Sequence, residues 1–295
     1  MSHAPHPRSE RNAWARFWNR GTWWKALLLV VVYAVIYQLI GLATASLFRG
    51  FIDGDDLLAS TSSVFFGLAL PILLSGAVLV LFGWSIGAVP DIFRRQPLRG
   101  KRWMWLAVIL VVVPIVLRLA ATNWSAYSIA VVLTVLLAGL CIGFAEELLT
   151  RGYVVRILRS AGHRERIVLV VSSALFALLH STNAFTGQPL GTVAFTIAYT
   201  FGFGTMMYLS MRVTGSVVWA ILLHAATDPT TMLATGGIDA HGNTAGSAGL
   251  IGIAGVFNIV YILFAIVAIF LVKDRVGRVD RAAAGATADG ARRSS

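Results

Sequence analysis

The sequence is poor in cysteine and in charge. A single cysteine, Cys141, stands among 295 residues, so no intramolecular disulfide can form. Charged residues make up only 13% of the chain, about half the share of an ordinary soluble domain. Acids are the scarcer sign, with 13 Asp and Glu against 24 Lys and Arg. No GxxxxGK[ST], GxGxxG or CxxC pattern occurs, which argues against nucleotide-driven or thiol redox chemistry. HExxH is absent too, so the chain lacks the zinc-protease helix. What is abundant is apolar: 57% of residues, with a mean hydropathy of +0.77. An excess of that size cannot come from one anchor and points to a polytopic, all-α bundle of transmembrane helices.

Windows of about 20 apolar residues, long enough to cross a hydrocarbon core of about 30 Å, fall near 26–48, 60–84, 103–120 and 126–150. Four more fall near 166–185, 192–211, 216–235 and 248–272. The first is too long for a secretory signal and is followed by seven others. The sequence therefore divides into a basic, Trp-rich interfacial segment over 1–25, a membrane domain over 26–272, and a basic tail over 273–295. The tail is rich in Ala, Gly, Arg and Ser and reads as disordered.

The net charge of +11 would suggest nucleic acid in a soluble protein. Here the bases cluster in connectors, so a membrane explanation replaces a nucleic-acid partner. Every Lys and Arg except Arg49 and Arg118 falls in the N-terminal segment, the 2–3, 4–5 and 6–7 connectors, or the tail. Arg151, Arg156 and Arg159 are assigned to the 4–5 connector and Arg212 to the 6–7 connector. By the positive-inside rule this face is cytoplasmic, with both termini inside and the chain in the cell membrane. The sequence says nothing about oligomeric state.

An ionisable side chain in a span costs about 2.5–3.5 kcal/mol on insertion scales, so each one asks for a function. Span 4 has Glu146, Glu147 and Arg151; span 5 ends on His180; span 7 has His224 and Asp228. Counting helix rise from the nearest basic residue places His180 about 21 Å deep, His224 about 18 Å and Glu146 about 15 Å, the last provided helix 4 continues past Arg151. The three can converge in one pocket, expected to open toward the cytoplasmic half. Glu147 and Arg151 are four apart with the acid first, the favourable order for a structural ion pair. Glu146 lies about 100° around the helix from Glu147. It is thus free to act as a general base. Phe176 and the methionines Met206, Met207 and Met211 read as packing, and Gly202, Gly204 and Gly215 as points of close helix approach.

Glu146-Glu147-x-x-x-Arg151, Phe176-x-x-x-His180 and His224-x-x-x-Asp228, each on its own span, resemble the three motifs of the CPBP intramembrane proteases. These are the CAAX prenyl endopeptidase and bacteriocin-processing proteins, also called the Abi family. Thr214-Gly215-Ser216 resembles the lead-in to the third motif, and the resemblance covers about 125–235. It implies a membrane endopeptidase that hydrolyses a peptide bond in a membrane-associated, prenylated or leader-type peptide. Glu146, helped by His180, would activate water; His224 and Asp228 would bind the carbonyl and stabilise the oxyanion; Glu147 and Arg151 would hold helix 4. The family's third motif more often ends in Asn. An ionised Asp228 accepts hydrogen bonds but cannot donate one. Either it is protonated, or it orients His224 while His224 donates.

The preferred reading has no cofactor. In the alternative, Glu146, His180 and His224 would hold zinc or another divalent metal with a fourth position open to water. The same polar residues would also suit a proton-coupled transporter or a non-catalytic membrane scaffold or immunity protein. The orientation is testable by itself: a reporter fused after Lys273 should read cytoplasmic and one fused near Asp55 external. Two reporters on the same side would contradict the eight-span topology.

Overall fold

The computed structural model describes residues 13–186, 188–237 and 246–276. The remaining N-terminal residues, the tail beyond 276, and Asp239 and His241 of the last outer connector lie outside the described residues. Among the described residues all regular structure is helical, and eight helices are long and apolar enough to cross a membrane. Span 1 is Trp23–Leu47, span 2 Thr61–Ser85, span 3 Arg102–Ala121 and span 4 Ile129–Ser160. Span 5 is Glu165–Thr182, span 6 Leu190–Thr214, span 7 Val217–Thr235 and span 8 Ala248–Leu271. The chain is a multi-pass membrane protein.

Local chemistry sets several of the ends. Ser60, Ser128 and Ser216 precede spans 2, 4 and 7, and each side chain accepts a hydrogen bond from a first-turn amide. Gly215 stops span 6 and Gly236 stops span 7, at φ of +78° and +77°, each donating its amide back to the last turn. Gly215 is thus a helix stop rather than the point of close helix contact expected from its small size.

Span 4 departs most from the expected boundaries. It continues to Ser160, passing through a π-helical stretch at Leu148–Val154. Arg151, Arg156 and Arg159 therefore ride on the helix, and the 4–5 connector shrinks to 161–164. Arg212 likewise belongs to the last turn of span 6 and is fully buried. Charge density suggested connectors there; the structure tolerates helix because the charges are paired. Arg159 donates from Nε and Nη2 to the two carboxylate oxygens of Glu165 at 2.8 Å each. Arg212 reaches Glu165 at 3.0 Å and Asp274 at 3.1 Å, and the Tyr208 hydroxyl also donates to Glu165. This buried cluster ties spans 4, 5 and 6 to the segment that follows span 8.

Span 4 lies at the centre, packed on span 7 on one side and on span 2 on the other. Span 6 packs on spans 5 and 8, and span 8 on span 3. The approach of spans 4 and 7 is set by two glycines. A Cβ on Gly139 would stand 2.1 Å from the Pro229 ring, and one on Gly143 2.6 Å from the Ala225 nitrogen. Gly139, Gly143 and Glu147 are spaced by four, so they share one helix face. The glycine stripe therefore aims Glu147 at span 7. Gly202 acts similarly between spans 6 and 8, where a Cβ would meet the Tyr261 backbone at 2.6 Å. Met206, Met207 and Met211 are fully buried, and so belong to the core.

The short helix Ala13–Asn19 turns back onto the end of span 2. Trp14 and Trp18 make edge contacts with Phe82, and Trp14 Nε1 donates to Ser85 Oγ at 2.9 Å. Lys25 is buried, with its ammonium donating to the carbonyl oxygens of Phe17 and of Arg20.

Gly143→Val should force spans 4 and 7 apart and cost about 1–3 kcal/mol, read as a lower thermal midpoint in detergent. Gly41→Ala, where an added Cβ meets nothing within 4 Å, should leave the midpoint unchanged. Equal midpoints for the two variants would contradict the close approach.

Candidate active site

The site is built on the turn of span 4 where α-helix passes into π-helix. Glu147 ends the α-helical part and Leu148 begins the wider turn. Single π-turns within α-helices often mark functional positions. Here the turn leaves Glu147 and Arg151 on one side. Glu147 Oε2 lies 3.2 Å from Arg151 Nε, and both side chains are fully buried. The expected ion pair is present, but it does more than hold its own helix. Glu147 Oε1 also accepts from His224 Nδ1 at 2.9 Å across the interface with span 7.

Arg151 extends the connection further. Its Nη2 donates to the Gly204 carbonyl of span 6 at 2.5 Å, and its Nη1 donates to Thr150 Oγ1. The guanidinium lies 4.7 Å from the centre of the Phe176 ring of span 5. A Cβ on Gly204 would come 2.8 Å from Arg151 Nη2, so the glycine provides the room for this arginine. Phe176 also makes edge contacts with the His180 and His224 rings, and Phe203 with His224. Phe176 is a packing residue as expected, and what it packs is the site.

His224 is nearly enclosed, with 3% of its side chain exposed. With Nδ1 committed to Glu147, its Nε2 faces Glu146 Oε2 at 3.8 Å and Asp228 Oδ2 at 3.4 Å. Glu147 is thus the carboxylate that holds Nδ1 of His224. Asp228, for which orienting His224 was one of two alternatives, lies beside the opposite ring nitrogen. Glu146 is pointed away from the ion pair. One of its oxygens, Oε2, is buried without a hydrogen-bond partner among the described residues. His180 stands where span 5 passes into a 3-10 turn, and its Nδ1 donates to the Phe176 carbonyl at 3.2 Å. A carbonyl only accepts, so in the neutral ring the lone pair is on Nε2.

Glu146, His180, His224 and Asp228 line one cavity of about 290 Å³. Glu146 and His180 also line a second, of about 130 Å³, against Tyr33 and Tyr37 of span 1. The convergence inferred from depth is thus present, but the direction differs from expectation. The larger cavity runs through Arg118 near the end of span 3, Thr196 and Tyr199 early in span 6, and Gly237 just beyond span 7. Those span ends join the basic-poor connectors, so the cavity lies toward the face opposite the arginine-rich one. Helix rise gives depth from one face only, and three groups near mid-span can open either way.

Glu147 as the partner of His224, and Gly139 and Gly143 as spacers, were not singled out from the sequence, whereas Gly204 was expected at a close approach and is found at one. The spacing of four shared by Gly139, Gly143 and Glu147 was the available signal for the first two glycines. Glu146, His180 and His224 line one cavity, but among the described residues no three His, Cys, Asp or Glu side chains are grouped closely enough to hold an ion. The Glu147 bond at Nδ1 leaves His224 Nε2 toward Glu146 and Asp228.

Residues 128–230 match the family described as Type II CAAX prenyl endopeptidase Rce1-like, a protease family. The matched segment contains Glu146, Glu147, Arg151, His180, His224 and Asp228, the residues that resemble the CPBP motifs. Spans 1, 2, 3 and 8 lie outside it. No curated protein and no solved structure matches the chain.

Arg151→Ala leaves the Glu147 carboxylate buried beside span 7 without its cation and should cost about 3–5 kcal/mol, seen as lost folded yield and a lower thermal midpoint. Arg151→Lys restores the charge without the planar fork and should recover part of the loss. Wild-type stability for Arg151→Ala would contradict the pairing.

Proposed function

We propose that the protein is an intramembrane endopeptidase that cleaves a peptide bond in a membrane-associated peptide by direct attack of water. The observation that carries this reading is the setting of Glu146. Glu146 lines a cavity that it shares with two imidazoles, and its buried Oε2 has no hydrogen-bond partner among the described residues; one of those imidazoles is held by a second, separate carboxylate. The match to a protease family over the same segment supports it.

In this reading the scissile carbonyl enters the cavity between Glu146 and His224. Glu146 takes a proton from water while the resulting hydroxide bonds to the carbonyl carbon, with His180 Nε2 helping to hold that water. Negative charge moves onto the carbonyl oxygen. His224 stabilises it by donating from Nε2, which requires the imidazolium form because Nδ1 already donates to Glu147. Glu147 and Asp228, on either side of the ring, compensate that positive charge. Asp228 thereby acts as a carboxylate, with no need to donate to the oxyanion itself. Glu146 then passes its proton to the leaving nitrogen as the C–N bond breaks. No covalent enzyme intermediate and no metal are required. The termini and the arginine-rich connectors are assigned to the cytoplasmic side, so the cavity would receive substrate from the outer half of the membrane.

Glu146→Gln keeps the side-chain shape and removes the base. It should abolish processing while leaving yield and thermal midpoint near wild type. His180→Ala and His224→Ala should each lose most activity, and the double variant should lose little more, as groups acting together are non-additive. Asp228→Asn should impair processing without abolishing it. Full-rate processing by folded Glu146→Gln would overturn the enzymatic reading.

A further inference from the structure

Arg118 sits on span 3, outside the family match, and its surroundings set it apart from the other buried arginines. Arg151 is paired with Glu147, and Arg212 with Glu165. Arg118 is 9% exposed, and its guanidinium has no hydrogen bond or ion pair to any described residue. Its Nη1 is buried and unpartnered. The residue lines the same cavity as Glu146, His180, His224 and Asp228. Its electrostatic neighbours are Tyr261, Asp228 and Tyr199. Neither cavity carboxylate pairs with it: Glu146 and Asp228 both stand against His224 Nε2.

A cation buried in an otherwise apolar helix without a direct carboxylate partner is costly to keep. A planar guanidinium offers two parallel donors that match a carboxylate. We propose that Arg118 is a specificity-determining residue that binds a carboxylate of the peptide substrate, so that the site selects peptides carrying one within a few residues of the scissile bond. The carboxylate can be the free C-terminus or an acidic side chain; the chemistry is the same. This rests on the peptidase reading above and adds which peptides are taken. Arg118 touches substrate remote from the reacting bond, and it discriminates among peptides rather than performing the chemistry.

The test is binding, measured on the purified full chain carrying Glu146→Gln so that no turnover intervenes. Three probes are compared: an N-acetylated apolar tetrapeptide with a free C-terminal carboxylate, its C-terminal amide, and an amide with glutamate as the last residue. The expected result is that at least one carboxylate-bearing probe binds roughly tenfold or more tightly than the plain amide. Arg118→Gln should remove that preference and Arg118→Lys should keep part of it. Tight binding by the free acid alone identifies a terminal carboxylate, and tight binding by the glutamate amide an acidic side chain. Equal binding of all three probes, no binding of any, or a preference that survives Arg118→Gln would overturn the proposal. So would failure of Arg118→Gln to fold, since that would make Arg118 a structural counter-charge. A wild-type protein that binds these acids but never cleaves a peptide would remove the peptidase reading and leave the carboxylate site. One that cleaves without discriminating would do the reverse.

Discussion

Glu147 is held on two sides, by Arg151 on its own helix and by His224 on span 7, and the placement of the site follows from that pair of contacts. In a bilayer an uncompensated charge is expensive, and removing one partner of a buried pair costs more than the pair contributes. Each member is therefore committed to the others. Arg151 spends its remaining donors on Gly204 and Thr150 and its face on Phe176. One guanidinium thus touches spans 4, 5 and 6 and reaches span 7 through Glu147. Three of those, spans 4, 5 and 7, supply Glu146, His180, His224 and Asp228.

Packing serves the same end. Ridges of ordinary side chains would hold spans 4 and 7 too far apart for Glu147 to reach an imidazole. Gly139 and Gly143 remove the obstruction, with the Pro229 ring and the Ala225 backbone filling the space. The consequence for chemistry is a division between two adjacent carboxylates. Glu147 is consumed by structure, and Glu146, about 100° around the helix, is left facing the cavity with an oxygen unpartnered. Adjacent identical residues take different tasks because the helix turns them toward different neighbours.

Much of this was legible in the sequence. All eight spans were placed to within a few residues except the end of span 4, because apolar runs of bilayer length are a strong signal. The convergence of Glu146, His180 and His224 followed from comparable depth, and Asp228 was tied to His224 by its spacing of four. The missed features depend on tertiary pairing. Arg151, Arg156, Arg159 and Arg212 looked like connector residues because local charge density cannot reveal that Glu147, Glu165 and Asp274 neutralise three of them inside the helical bundle. The Glu147–His224 bond was not foreseen because the two residues are 77 positions apart, whereas Asp228, one candidate to orient His224, is only four away. The side on which the cavity lies was also misjudged. It depends on which half of every neighbouring span contributes lining, and Arg118 entered the site only through that arrangement.

The central claim is that this polar centre hydrolyses peptide bonds, and its most direct test is a census of peptide termini. Membranes from cells that carry the wild-type protein should be compared with membranes carrying Glu146→Gln at equal abundance. At least one membrane-associated precursor should accumulate with Glu146→Gln, and should be cut at one new terminus when purified wild-type protein is added back. Identical sets of termini in the two membranes, with both proteins folded and equally abundant, would contradict it.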